Sequence, residues 1–193
     1  MITKFVVKNY RGFADEIVWD MSHPSSYSFN TNAIKDGVVK NGIIYGPNGS
    51  GKTNLGMALF DIVNHLTQKF KKADYYKNFI YAGRPDSLVD FEYTFKFGEQ
   101  EVQYDYSKAR DGKLINEKLV VDGNVIFDHQ GRKLTIDNKS YPMEPTFMEG
   151  LAQNANHVSI VNVLLTSYPL VEGHYLMKRK NFVDGMLWLR TLD

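Results

Sequence analysis

Residues 46–53 read Gly46-Pro47-Asn48-Gly49-Ser50-Gly51-Lys52-Thr53 and fit the spacing G-x-x-x-x-G-K-[ST] at every fixed position. These residue types in this order suit the binding of a phosphate chain. Gly46, Gly49 and Gly51 let the backbone wrap closely around an anion with no Cβ in the way. Successive N–H groups in such a loop point inward and form an anion nest. Lys52 is placed to reach the β- and γ-phosphates, and the Thr53 hydroxyl to coordinate Mg²⁺, a hard ion that prefers oxygen ligands. The binding set read here is Gly46, Asn48, Gly49, Ser50, Gly51, Lys52, Thr53 and Asn54, with ATP and Mg²⁺ as the expected ligands. The general pattern leaves Pro47 and Asn48 unconstrained and the part played by Asn54 open. The bland alternative is a Gly-rich turn that binds nothing.

Such a loop works only between a strand and a helix. Residues 42–45, Gly-Ile-Ile-Tyr, form a short apolar run that predicts a buried parallel strand. Beyond Lys52, apolar residues recur at Leu55, Ala58, Leu59, Ile62 and Leu66, the spacing of one helix face, so a helix is expected to about residue 69. The dipole of a helix starting near Lys52 adds positive potential at the same place.

The chain has 193 residues, 43% of them hydrophobic and 13% aromatic, enough for a folded domain with its own core. A formal net charge of +1 argues against a general polyanion binder, and the lack of cysteine excludes disulfides and thiolate metal sites. No apolar run approaches a membrane span, so a cytoplasmic protein without membrane association is expected. The five histidines lack metal-ligand spacing, and Asp105, Asp111 and Asp122 read as turn or solvated residues.

Residues 2–9 and 16–20 predict two strands of a hairpin around a turn at residues 10–13, with a polar loop over 21–41. Residues 88–136 alternate apolar and polar and carry turn signals at 98–100 and 122–124, predicting an antiparallel meander of about five strands. Residues 157–165 suit a strand or a helix, Pro169 is expected to end that element, and 179–192 predict a helix. Between these, Lys69, Lys71, Lys72, Lys77 and Arg84 interleave with Phe70, Tyr75, Tyr76, Phe79 and Tyr81. That mixture suits nucleic acid, but a surface helix with aromatics facing the core is the favoured reading.

A first strand, then Asn9-Tyr10-Arg11-Gly12-Phe13, then Gly46 to Thr53 extended by Asn54, resembles the start of ABC-type ATPases of the SMC, RecF and OLD group. The chain looks especially like the AAA-labelled ATPases of bacterial abortive-infection and other anti-phage systems. The likeness is strongest over residues 1–66 and looser to 136. It implies an α/β P-loop NTPase lobe with a mixed sheet, an antiparallel meander and C-terminal helices. It implies ATP-driven dimerisation, a homodimer or larger assembly, an effector protein as partner, and work in phage defence or DNA transactions. It also implies that Arg11 approaches the phosphates; a plain surface arginine after a strand is the equal alternative.

Such ATPases need a Walker B strand ending in Asp and usually Glu, the carboxylates that hold Mg²⁺ through water and polarise the attacking water. The best apolar run, residues 158–165, ends instead in Thr166-Ser167. No Leu-Ser-Gly-Gly-like signature occurs, and Gln100 and Gln103 lack the context of a Q-loop glutamine. No catalytic residue is therefore assigned. The expected organisation is one incomplete lobe over 1–193: a P-loop core over 1–69, a β subdomain over 88–136, and a helical tail over 157–193 leading to a missing insertion or second lobe. A non-hydrolysing nucleotide sensor is the alternative. A GTPase is disfavoured, since Asn138-Lys139-Ser140-Tyr141 lacks the Asp of the guanine-reading motif, and no basic lid of a small kinase is found.

Overall fold

The computed structural model describes residues 1–26, 29, 31–67, 76–155 and 158–187. Strand β1 (Ile2–Lys8) and β2 (Ile17–Asp20) form the expected antiparallel hairpin, with Phe5 opposite Trp19. Its turn is closed by reciprocal backbone bonds between Tyr10 and Phe13, at 2.9 and 2.8 Å. A small hairpin, β3 (Ile34–Lys35) with β4 (Val38–Val39), precedes the Gly-rich loop. Helices α1 (Lys52–Leu59) and α2 (Asp61–Leu66) then take up the predicted apolar face, with a break at Phe60.

The five strands expected over 88–136 form as β5 (Val89–Phe97), β6 (Gln100–Lys108), β7 (Leu114–Val121), β8 (Asn124–Gln130) and β9 (Lys133–Ile136). The β7–β8 turn uses Asp122 and Gly123, both at positive φ (48° and 79°), the geometry that suits the twist of a two-residue hairpin. β1 pairs with β5, so one antiparallel sheet runs β2-β1-β5-β6-β7-β8-β9 through both the N-terminal hairpin and the meander. The chain is thus α/β, and the mixed sheet expected is not what forms: every strand pairing among the described residues is antiparallel, because consecutive strands are joined by short hairpins and β1 meets β5 in the opposite direction. Helices α3 (Pro145–Asn154), α4 (Ile160–Ser167) and α5 (Tyr175–Asp184) follow.

Alternation decides which face of the sheet is covered. Val89, Phe91, Tyr93 and Phe95 on β5 and Val102, Tyr104, Tyr106 and Lys108 on β6 are all buried. Their neighbours Asp90, Glu92, Gln103 and Asp105 lie on the opposite, polar side. The aromatics pack closely, with Phe91 and Tyr106 ring centroids 5.0 Å apart and Phe5 and Tyr93 4.9 Å apart. Their polar ends reach the helices. Tyr93 Oη donates to Ala58 O at 3.0 Å, and Tyr106 Oη and Lys108 Nζ donate to Asp61 Oδ2 at 2.8 and 2.6 Å. Glu117, buried on β7, accepts from Ile160 N at 2.7 Å and so caps α4.

Other expectations are corrected, and the ambiguity over residues 157–165 is resolved. Residues 42–45 belong to no strand, and Ile43 and Tyr45 are about 90% exposed (89% and 91%). Among the described residues, no backbone bond pairs them with a neighbouring strand; apolar sequence alone cannot bury a strand that has no ladder partner. Residues 160–167 are helical, because Glu117 satisfies the first-turn N–H groups and Ile160, Val161 and Leu164 recur on one buried face. Residues 76–84 are loop and turn, not helix, with Phe79 turned into the core. Most of the basic–aromatic stretch before them, Lys69 to Tyr75, lies outside the described residues, as does the end of the helix predicted over 179–192; α5 starts earlier, at Tyr175, and stops at Gly185.

Candidate functional site

The Gly-rich loop sits at the surface, with residues 46–50 exposed and Lys52 and Asn54 half-buried. Helix α1 begins inside the motif, at Lys52, as the spacing requires. Gly51 is the helix N-cap at φ 92°, in the left-handed region. A Cβ there would also lie 2.8 Å from Phe13 Cε1, so both conformation and contact demand glycine. Ser50 N donates to Pro47 O at 3.3 Å and tightens the loop. The Lys52 ammonium folds back over it, donating to Gly46 O at 2.7 Å and Pro47 O at 2.8 Å. The cation is therefore held over the mouth of the loop. Thr53 is exposed at the first turn of α1.

The β1–β2 turn lies against this loop. Phe13 meets Gly51, and a Cβ on Gly12 would lie 3.4 Å from Asn54 Nδ2. Asn9 and Arg11 are both at positive φ (56° and 49°), conformations that cost a non-glycine residue and persist only where surrounding contacts over-determine them. Here the contacts are specific. Asn9 Nδ2 donates to the carbonyls of Arg84, Ser87 and Leu88 at 3.3, 3.2 and 3.0 Å, and Arg11 N donates to Phe79 O at 3.0 Å. Tyr81 N returns a bond to Asn9 O at 3.1 Å. The segment before β5 is thereby stitched onto the turn that carries Arg11.

Between them opens a cleft of about 420 Å³, lined by Arg11, Asn54, Asn78, Tyr81, Pro85 and Arg110 among others. Asn54 is the member of the predicted set that joins the loop to this cleft, and Arg11 shares the cleft with it; residues 46–53 lie outside its lining. Asn78 and Arg110 were not read from the sequence, and Tyr81 was named there only as part of the basic–aromatic stretch. Only Asn78, at φ 57°, belongs to a residue type whose tolerance of that conformation is a local signal. Arg110 comes from the β6–β7 hairpin, remote in sequence from the loop.

The residues present fit a phosphate chain: positive φ at Gly49 and Gly51, a helix N-terminus, and an ammonium held at the loop. For Mg²⁺ the loop offers one hydroxyl, that of Thr53. Among the described residues no cluster of three or more His, Asp or Glu side chains is arranged to hold a metal. No helix of the described residues is long and apolar enough to cross a membrane. No family model matches the chain, and a search of curated proteins found no match to it.

Proposed function

We propose that this chain binds ATP with Mg²⁺ as one lobe of an ABC- or SMC-like ATPase. The observation that carries the reading is the motif's own geometry: a glycine-capped helix starting at Lys52, with its ammonium held over the loop. Bound phosphates would replace the Gly46 and Pro47 carbonyls as partners of Lys52, and the loop N–H groups would take the remaining oxygens. Mg²⁺, when bound with the nucleotide, would neutralise phosphate charge next to the Thr53 hydroxyl. The packing of the Arg11 turn against Gly51 and Asn54 supports placing Arg11 near the ligand.

The exposed apolar residues Ile43 and Tyr45, just before the loop, support an incomplete lobe whose apolar surface is covered in a fuller assembly. Nucleotide-driven dimerisation, an effector partner, contact with nucleic acid and a setting in phage defence or DNA transactions come from the resemblance to the SMC, RecF and OLD group.

One observation favours a second reading, a sensor that binds nucleotide without hydrolysing it alone. The run at 158–165, the best place for a Walker B strand, folds as helix α4, and its last turn bears Thr166 and Ser167 in place of a carboxylate.

Titration calorimetry with ATP and Mg²⁺, paired with phosphate-release measurements, tests both readings. The wild-type chain is expected to bind ATP, and Lys52→Ala to weaken binding by at least about ten-fold, since a charge-assisted bond is lost. Unchanged ATP binding in Lys52→Ala would sink the nucleotide reading. Turnover by the isolated chain that disappears in Lys52→Ala would exclude the sensor.

A further inference from the structure

Helix α5 is capped by an imidazole. His174 is its N-cap, with extended backbone (φ −67°, ψ 141°), and His174 Nδ1 accepts from Leu176 N–H at 3.2 Å. The usual caps are Ser, Thr, Asp and Asn, whose side-chain oxygens accept throughout the neutral range. An imidazole nitrogen accepts only while it carries no proton. With Nδ1 accepting, the ring proton of the neutral form lies on Nε2, 3.3 Å from the Tyr141 hydroxyl. Tyr141 is buried, and its hydroxyl also lies 2.6 Å from Tyr175 Oη. The neutral ring thus has a partner on each nitrogen, and both partners tie the start of α5 in place.

A second ring proton ends this arrangement. Imidazolium donates from both nitrogens, so Nδ1–H would face Leu176 N–H, and a full positive charge would stand at the positive end of the helix dipole. The groups around the ring do not compensate. Lys178, one turn further along α5, repels a cation there. The Tyr141 and Tyr175 rings, 6.4 and 4.1 Å away, stay neutral, since burial pushes both phenols up. Asp137, whose charge acts on both tyrosines, already accepts from Ser140 Oγ at 2.6 Å and Lys139 N at 3.1 Å. Glu172 is exposed in the loop before the helix. Burial, and then Lys178, hold the His174 imidazole below its ordinary 6.5.

The rest of α5 has little docking energy to spare. Its buried residues are Leu176, Arg179 and Val183. Arg179 is fully buried against the face of the Tyr104 ring, 4.8 Å from guanidinium to centroid, and its three nitrogens have no hydrogen-bond partner. Tyr104 and Glu117 offset its charge only in part, and a buried cation without hydrogen bonds opposes docking. We infer that His174 is a pH-sensitive latch: the neutral imidazole caps α5 and holds it against the sheet, and protonation uncaps and releases the helix. The docked helix favours the neutral ring, so docking is strongest above about 6.5 and weakens as pH falls below it. This latch is independent of the nucleotide reading.

Amide hydrogen exchange tests this on wild type, His174→Asn and His174→Ala, at about pH 7.5 and about pH 5.5, corrected for the intrinsic exchange rate. In the wild type, protection over residues 176–183 should fall about five-fold on acidification, the loss of one N-cap, while β5 and β6 keep theirs. His174→Asn retains a cap with no proton to gain and should hold its protection at both pH values. His174→Ala lacks the cap and should show the lower protection at both. Equal wild-type protection at the two pH values overturns the latch. So does a His174→Asn variant that responds to pH as the wild type does, since another group then carries the response. Neutral-pH protection in His174→Ala equal to wild type would show that the cap does not hold α5. Protection lost from β5 and β6 together with α5 would mean global unfolding, and would overturn the latch as well.

Discussion

Replacing Asp61 with asparagine isolates the charge that ties the loop-bearing helices to the sheet. Asp61 opens α2 and is fully buried, as is Lys108 apart from 1% of its surface. Both bonds to the carboxylate, from Lys108 Nζ at 2.6 Å and Tyr106 Oη at 2.8 Å, fall on Oδ2, while Oδ1 has no partner among the described residues. An asparagine can therefore present its carbonyl at the Oδ2 position and keep both bonds, with its amide where Oδ1 stood. What it removes is the negative charge opposite a buried ammonium. Breaking such a pair from one side costs roughly 3–5 kcal/mol. The Tyr106, Tyr76 and Phe91 rings, 5.2, 5.5 and 6.0 Å from Lys108 Nζ, continue to stabilise the cation, so we expect about 3 kcal/mol, the lower end of that range. Equilibrium urea unfolding reads it directly. With a slope of about 2 kcal/mol per M, the midpoint falls by about 1.5 M. The double variant Asp61→Asn with Lys108→Met removes both charges and should return to within about 1 kcal/mol of wild type. A shift below about 0.5 M in Asp61→Asn, or no recovery in the double variant, would refute the claim that this ion pair holds α2 on the sheet.

The other expectations concern the ligand site, the polar face and α4. Lys52→Ala should weaken ATP binding by at least about ten-fold by calorimetry without loss of melting temperature. On the polar face, burial and then Glu92 push the Asp105 carboxyl up from 3.8 to about 6. The folded state then binds the proton more tightly than the unfolded one, so stability falls as pH rises through the window from about 4 to 6 and is level above it. Asp105→Asn should flatten that slope and raise stability at pH 7–8 by about 1–2 kcal/mol, after allowance for solvent at this half-buried site; urea midpoints measured across pH would show it, and an unaltered pH profile would refute it. Glu117→Ala removes the acceptor of both Ile160 N–H at 2.7 Å and Tyr104 Oη–H at 2.6 Å. It should cost about 2 kcal/mol and speed amide hydrogen exchange at Ile160 and Val161; unchanged exchange there would show that Glu117 does not cap α4.

The elements that were legible in the sequence are those with a local cause. The meander over 88–136 formed where predicted because strict alternation on β5 and β6 and the Asp122-Gly123 turn act over a few residues each. The start of α1 at Lys52 followed from the motif itself. The strand expected at 42–45 did not form because a ladder needs a neighbour, and no run of isoleucines supplies one. Residues 157–165 were ambiguous because so short an apolar run, interrupted by Asn162, suits either element. The cap that makes them helical, Glu117, lies more than forty positions earlier in the chain (160 less 117).

The site divides in the same way. Residues 46–54 could be named as a candidate from the sequence because the loop proposed to bind phosphate would do so through contiguous backbone N–H groups, a local property of glycine spacing and one lysine. That Arg11 shares a cleft with Asn54, and that Arg110 meets them there, was decided only by tertiary structure. Those positions depend on Asn9 stitching a distant segment onto the first turn, on Phe13 packing over Gly51, and on Tyr76 docking the β6–β7 hairpin. Each is a contact between segments far apart in sequence, and no spacing within one segment encodes it.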